Sequence, residues 1–551
     1  MPVVAMASSS PMGFSFEPAR PDASAACADD MARHGRAAAR ARHAAIRRVV
    51  VIHVQTRRCV YGHGAGRLRR GAPGVPEVSE SINQIACNGN ICWTEFSARP
   101  RISRAVAQST RHRDELPPEW RLKVPSEETE VVIVGAGQAG VAMSEHLGAC
   151  GVPHIVLERH RIAERWRSER WDSLVANGPA WHDRFPGLEF ADVDPDGFAS
   201  KGQVADYFAA YAEKIGAPVR CGVEVTSVRK HAGRPGFRVE TSDGTIDARF
   251  VVAATGPFQR PVIPPIVPDG AVPVQIHSSG YRNPEQLPEG AVLVVGAGSS
   301  GVQIADELRR SGRQVFLSVG PHDRPPREYR GRDFCWWLGV LGLWDAETPP
   351  QGAAHVTIAV SGARGGHTVD FRALAGTGIQ LVGMTASCDD GVLRFAPDLA
   401  TNIALGDAKY LALLQAADAY VERNGLDLPE EPEAHVLGPD PECVTDPLPE
   451  LDLAGAGVTS IVWATGFATD YSWLDVDAFD ENGRPDQRRG VSSEPGVYFV
   501  GLPWLSRRGS SFIWGVWHDA RYIADHITTQ RGYLAYSTTD RPGAVPATRQ
   551  N

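Results

Sequence analysis

From Glu130 onward the chain alternates short unbroken apolar runs, glycine turns and helical stretches. Residues 130–134 read EVVIV, without the polar alternation of a half-exposed strand, which predicts a strand buried on both faces. Gly135-Ala-Gly137-Gln-Ala-Gly140 follows at once, then a helical stretch to about Cys150, a stop at Gly151, and a second strand HIVLE ending in Glu158. The same order returns further along. AVLVV at 291–295 runs into Gly296-Ala-Gly298-Ser-Ser-Gly301, a helix through Arg310, Gly312, and a strand QVFLS ending at Ser318. Residues 249–258 (RFVVAATGPF) and 460–467 (SIVWATGF) each read as a buried strand running into Ala-Thr-Gly. Buried strands alternating with helices predict an α/β fold with two Rossmann-like dinucleotide-binding domains.

The remaining periodicity is thinner. Residues 407–424 read as an amphipathic helix and 513–527 as a C-terminal helix, while 369–382 and 391–395 read as strands returning toward the first dinucleotide domain. The aromatic run 334–344 fits core or a lid, with a substrate channel or a partner-facing patch as the sharper alternatives. The expected division is a first domain in two parts, 126–275 and 441–535, a second domain over 285–440, and a tail at 536–551.

Each glycine has a physical task. Gly135 permits the tight turn, Gly137 lets a pyrophosphate reach the backbone, and Gly140 lets helix and strand pack closely. Gln138 and Ala139 then offer unpaired N–H groups at the positive end of a helix dipole. Glu158 stands where a carboxylate binds ribose hydroxyls and repels a 2′-phosphate, so this unit reads as a site for FAD or NAD. In the second unit Gly296, Gly298, Ser299, Ser300 and Gly301 repeat the loop. Ser318 replaces the acid, with His322, Arg324 and Arg327 just beyond. A hydroxyl flanked by cations accommodates a 2′-phosphate, which points to NADPH. Thr255 and Gly256, Gly466, and Gly501 end three further strands and are expected beside the cofactors.

Composition narrows the class. Of 551 residues 43% are hydrophobic and 22% charged, an ordinary globular balance, and the formal charge of −9 argues against a nucleic-acid binder. No apolar run approaches the roughly 18 residues of a membrane-spanning helix. The nine cysteines include no Cys-x-x-Cys pair, which removes a zinc ribbon and a redox dithiol and suits a reducing cytoplasm; no metal site is expected. Residues 1–125 are Arg- and Ala-rich without sustained periodicity, and are expected to be either a disordered extension or translated from upstream of the true start.

Over about 128–530 the chain resembles the class B flavin-dependent monooxygenases, in particular the flavin-containing monooxygenase and YUCCA-like group. The two glycine loops and both Ala-Thr-Gly segments fall in that family's order. Residues 273–281 (PVQIHSSGY) match half of its F-x-G-x-x-x-H-x-x-x-Y linker fingerprint, through His277 and Tyr281, with Ala271 and Pro273 at the Phe and Gly positions. The resemblance implies that Trp166 packs by the flavin and that Asn177 is the active-site asparagine. It also implies that His277 and Tyr281 shape the linker; His182, close to Asn177 in the chain, reads as structural. NADPH would reduce FAD, and a C4a-(hydro)peroxyflavin formed with O2 would oxygenate a small nitrogen- or sulfur-containing or indole-pyruvate-like molecule. The alternatives are a flavin-dependent NAD(P)H oxidase or reductase serving oxygen or a partner protein, and a non-catalytic redox sensor. A homodimer is among the expected assemblies.

Overall fold

A computed structural model describes residues 127–349 and 357–536. The expected extension at 1–125, and the tail after its first residue, lie outside the described residues.

The first unit opens with β1 (Glu127–Val134), α1 (Gln138–Ala149) and β2 (His154–Glu158), with β2 parallel to β1 in the register Val131↔His154 to Val134↔Leu157. Helix α2 (Lys201–Lys214) starts at Ser200, whose hydroxyl accepts from the Gln203 N–H while the Gln203 side chain accepts from the Ser200 N–H. This reciprocal cap satisfies two otherwise unpaired groups. Strand β3 (Gly244–Ala253) runs parallel along the other side of β1. Val131, Val132 and Ile133 are fully buried, as their unbroken apolar pattern requires.

The second unit is a five-stranded, all-parallel sheet. It contains β4 (Val274–His277), β5 (Ala291–Val295) followed by α3 (Ser299–Arg310), and β6 (Val315–Ser318). After α4 (Phe334–Val340) and α5 (Phe371–Gly376) come β7 (Ile379–Val382), the long α6 (Leu399–Asn424) and β8 (Val458–Trp463). The order across the sheet is β7-β6-β5-β8-β4. The chain then returns to the first sheet, where β9 (Val497–Phe499) pairs with β3, and ends on α7 (Ile513–Ala535), which packs on α1.

Three expectations need correction. Residues 369–382 are not one strand returning to the first domain. The Asp370 carboxylate accepts from the N–H groups of Arg372 and Ala373 and starts α5, so only Ile379–Val382 is extended, and it joins the second sheet beside β6. Val392–Phe395 is a strand, but it pairs with Thr385–Asp389 and Glu450–Asp452, and Leu393, Phe395 and Leu451 bury against the second sheet. The second domain also extends beyond 285–440. Strand β8 pairs with β5 on one side and with β4 on the other, which puts Ser460–Trp463 in the second sheet and moves the return to the first domain further along the chain. Helices α6 and α7 are both longer than their amphipathic stretches suggested. In the aromatic run, Phe334, Trp337, Leu338 and Trp344 are buried, the core reading. No helix among the described residues is long and apolar enough to cross a membrane.

Candidate active site

The two glycine loops are built alike. Gly135 and Gly296 adopt φ of +104° and +108°, and a Cβ on either would meet the carbonyl of Ala254 at 2.8 Å or of Ala464 at 2.5 Å. Each Ala-Thr-Gly segment therefore lies against the first glycine of one loop, which explains why the tripeptide occurs twice. A Cβ on Gly140 or Gly301 would sink into the carbonyl of Gly135 or Gly296, so these positions accept only glycine.

The middle glycines differ. A Cβ on Gly137 meets nothing within 4 Å, leaving an open cradle at the head of α1, where the first N–H groups have no intrahelical acceptor. Glu158 borders it. Its carboxylate accepts from the Ala136 N–H at 2.9 Å and the His160 N–H at 2.9 Å, which fixes it at the end of β2. Gly501, at φ +82°, lies with its Cβ position 2.7 Å from the Ala139 Cβ, and the Gln138 side chain donates to the Ser511 carbonyl at 2.7 Å. Trp166 is half-buried and packs against the cores of both units. This open cradle with a bordering carboxylate fits the ADP half of FAD.

The contrast between Gly137 and Gly140 makes a prediction. Gly137→Ala is expected to fold normally and lose bound flavin at least tenfold, read from the absorbance ratio of the purified protein. Gly140→Ala is expected to yield little folded protein, because backbone cannot yield as a side chain does.

Asn177 lies where the two units meet. Its side-chain oxygen accepts from Gln303 Nε2 of α3 at 3.0 Å, and its carbonyl accepts from Arg327 at 2.6 Å. With the oxygen held, the amide nitrogen is the end left to donate. Gln303 also donates to the Val360 carbonyl at 2.8 Å. The sequence reading missed Gln303, which stands on α3 just past the last glycine of the loop and belongs to no motif position itself. Its only signal was a polar residue on the buried face of α3.

Asp183 ties the next turn together: it accepts from the Gly178 N–H at 3.1 Å and lies 2.8 Å from His182 Nδ1. The His182 ring stacks near Trp344 and Trp514, at centroid distances of 5.3 and 5.9 Å, and meets Trp181 edge-on. Trp517 faces the other way, against His146 and Phe185.

The linker residues act as struts. His277 donates from Nε2 to the Gly466 carbonyl at 2.9 Å, and burial lowers its pKa against the opposing pull of this bond. Gly256 and Gly466 both turn at positive φ, and the Thr255 hydroxyl accepts from Gln259 at 2.9 Å. Tyr281 is fully buried and donates to Glu307 at 2.7 Å.

Around the second loop the expected phosphate ligands are otherwise engaged. The Ser318 hydroxyl donates to the Gly383 carbonyl at 3.0 Å and accepts from the Thr385 N–H at 3.1 Å. Arg324 is 3% exposed and pairs with Asp407 at 2.8 and 2.5 Å, with its guanidinium over the Tyr410 ring. A buried guanidinium that gives Nε and Nη2 to Asp407 is not available to a 2′-phosphate, so its expected cofactor role is corrected to a structural one. Ser299 is also occupied. Its N–H and hydroxyl both donate to the Ile358 carbonyl, at 2.9 and 2.8 Å.

Known proteins agree with this architecture. Residues 132–330 match the family described as pyridine nucleotide-disulphide oxidoreductase. A CzcO-like oxidoreductase of Geobacillus kaustophilus is 35% identical over 72% of this chain and 98% of its own. A probable indole-3-pyruvate monooxygenase, YUCCA4 of Arabidopsis thaliana, is 30% identical over 72% of this chain and 90% of its own. The flavin-containing monooxygenase from Stenotrophomonas maltophilia shares the fold, with a TM-score of 0.51, 20% identity, and coverage of 74% of this chain and 99% of that one. The chain is an oxidoreductase whose cofactors are a flavin and a pyridine nucleotide, and it belongs to the class B flavin-dependent monooxygenases.

Proposed function

We propose that the protein is a cytoplasmic, NADPH-dependent FAD monooxygenase acting on a small planar nucleophile. The observation that carries this reading is the Asn177–Gln303 bond, which occupies the side-chain oxygen of Asn177 and leaves its amide nitrogen to donate. Once bound, the reduced flavin supplies activation of O2, with one oxygen atom going to the substrate and the other to water. The chain's own residues bind, orient and exclude water.

In this reading Gly135, Gly137, Gln138, Ala139, Gly140 and Glu158 hold the ADP half of FAD, with Thr255, Gly256 and Gly501 closing around it and Trp166 beside the ring. Gly296, Gly298, Ser299, Ser300, Gly301 and Gly466 serve NADPH. Ser318 acts by shape: its saturated hydroxyl removes the carboxylate that would repel a 2′-phosphate. The Asn177 amide stabilises negative charge that develops on oxygen. The buried rings of His182 and Trp344 brace the half-buried Trp514, the ring of this cluster left to meet an aromatic or otherwise flat apolar substrate. An indolic keto acid, the substrate in the name of the YUCCA relative, has that shape.

The test is to follow NADPH oxidation and product formation with indole-3-pyruvate, a tertiary amine and a thioether. Product formed in step with NADPH consumed for one of them supports the reading. NADPH consumption that ends wholly in peroxide with all three would identify an oxidase instead.

A further inference from the structure

Residues 357–360 cross the head of α3, where a dinucleotide pyrophosphate would have to lie. The Ile358 carbonyl accepts from both the N–H and the hydroxyl of Ser299, and the Val360 N–H donates to the same hydroxyl at 3.3 Å. The segment is pinned from the other side by Asp323, whose N–H donates to the Thr357 carbonyl at 2.7 Å and whose carbonyl accepts from the Ala359 N–H at 2.7 Å. Gln303 holds the Val360 carbonyl, and the Ile358 side chain packs against the buried cluster that contains Phe334 and Trp344, as does Trp514. A Cβ on Gly298 would meet the Thr357 methyl at 2.7 Å, whereas its counterpart Gly137 faces open space.

We propose that residues 357–360 form an autoinhibitory strap that occupies the pyridine-nucleotide cradle with a backbone carbonyl in place of a phosphate oxygen. The inference rests on the assignment of this loop to NADPH. The helix end favours an anion over a neutral carbonyl, because charge-assisted bonds are stronger and the dipole adds to them. NADPH can therefore displace the strap, with an apparent affinity lowered by the fraction of molecules that are closed. Because the strap also touches Gln303 and the Trp344–Trp514 cluster, its displacement would reach the Asn177 junction.

The experiment uses the FAD-loaded full chain and NADP+ as the probe. Ile358→Ala removes the apolar anchor, and Thr357→Gly removes the methyl over Gly298, so either variant can carry the test if the other folds poorly. Calorimetry is expected to show NADP+ binding tightened on the order of tenfold in each. Hydrogen exchange of wild-type protein is expected to speed up at Ala359 and Val360 when NADP+ is added. Unchanged or weaker binding by both variants, with greater protection of those amides, would make the segment an ordinary wall of the site and overturn the proposal. FAD retained with no NADP+ binding by wild type or variants would instead overturn the nucleotide assignment itself, and the strap with it.

Discussion

Asn177→Ala is expected to lower kcat/KM for oxygenation by roughly 10²–10³-fold, the usual cost of losing one preorganised donor to a developing oxyanion. NADPH consumption should continue, with its electrons appearing as hydrogen peroxide. The separation follows from the geometry. Asn177 spends its side-chain oxygen on Gln303 and its carbonyl on Arg327, so the function left to remove is donation by the amide nitrogen. Gln303 is a positioning residue, and Gln303→Leu should act in the same direction more weakly, on the order of tenfold, because the amide stays but loses its fixed orientation. The peroxide-to-product ratio discriminates, since a merely structural defect would lower both products together. An Asn177→Ala enzyme with unchanged coupling would remove the residue from the chemistry.

Arg324→Ala is expected to cost about 1–3 kcal/mol of stability, because a buried carboxylate loses one of its two arginine partners. Asp407 is held between Arg324 at 2.5 Å and Arg372 at 2.8 Å. Burial alone would raise the Asp407 pKa, but bonds to Arg372 and Arg324 overcome it and hold the carboxyl below its ordinary value. A folded pKa below the unfolded one gives stability that is complete above the unfolded value of about 3.9 and lost as pH falls through the folded value. The gap between wild type and variant in chemical denaturation should therefore be widest near neutrality and shrink in acid. A variant of unaltered stability that binds NADP+ more weakly would return Arg324 to the nucleotide site.

Much of the fold is legible from local patterns because its decisive constraints act over a few residues. A glycine whose Cβ would enter the carbonyl five residues earlier is a local necessity, so Gly140 and Gly301 declare strand–loop–helix units wherever they lie. Buried parallel strands likewise announce themselves as unbroken apolar runs, and HIVLE and AVLVV become β2 and β5 with the expected limits. The strand at 379–382 was harder. Its neighbour in the sheet is β6, far back in the chain, and nothing in its own four residues says which sheet will accept it.

The site divides in the same way. Sequence alone announced the two glycine loops and the carboxylate at Glu158, because each is written in spacing or in one residue type, while Asn177 was reached only through the family resemblance. Tertiary structure decided what those groups are free to do. Asn177 is aimed by a glutamine 126 positions away, and Arg324 is withdrawn from the nucleotide by an aspartate 83 positions away. The Ser299 amide is taken by a carbonyl from 59 residues further along, which no side-chain pattern could announce. A side chain's identity sets which bonds it can make, but its competitors for those bonds are chosen by chain segments that meet only in the folded state.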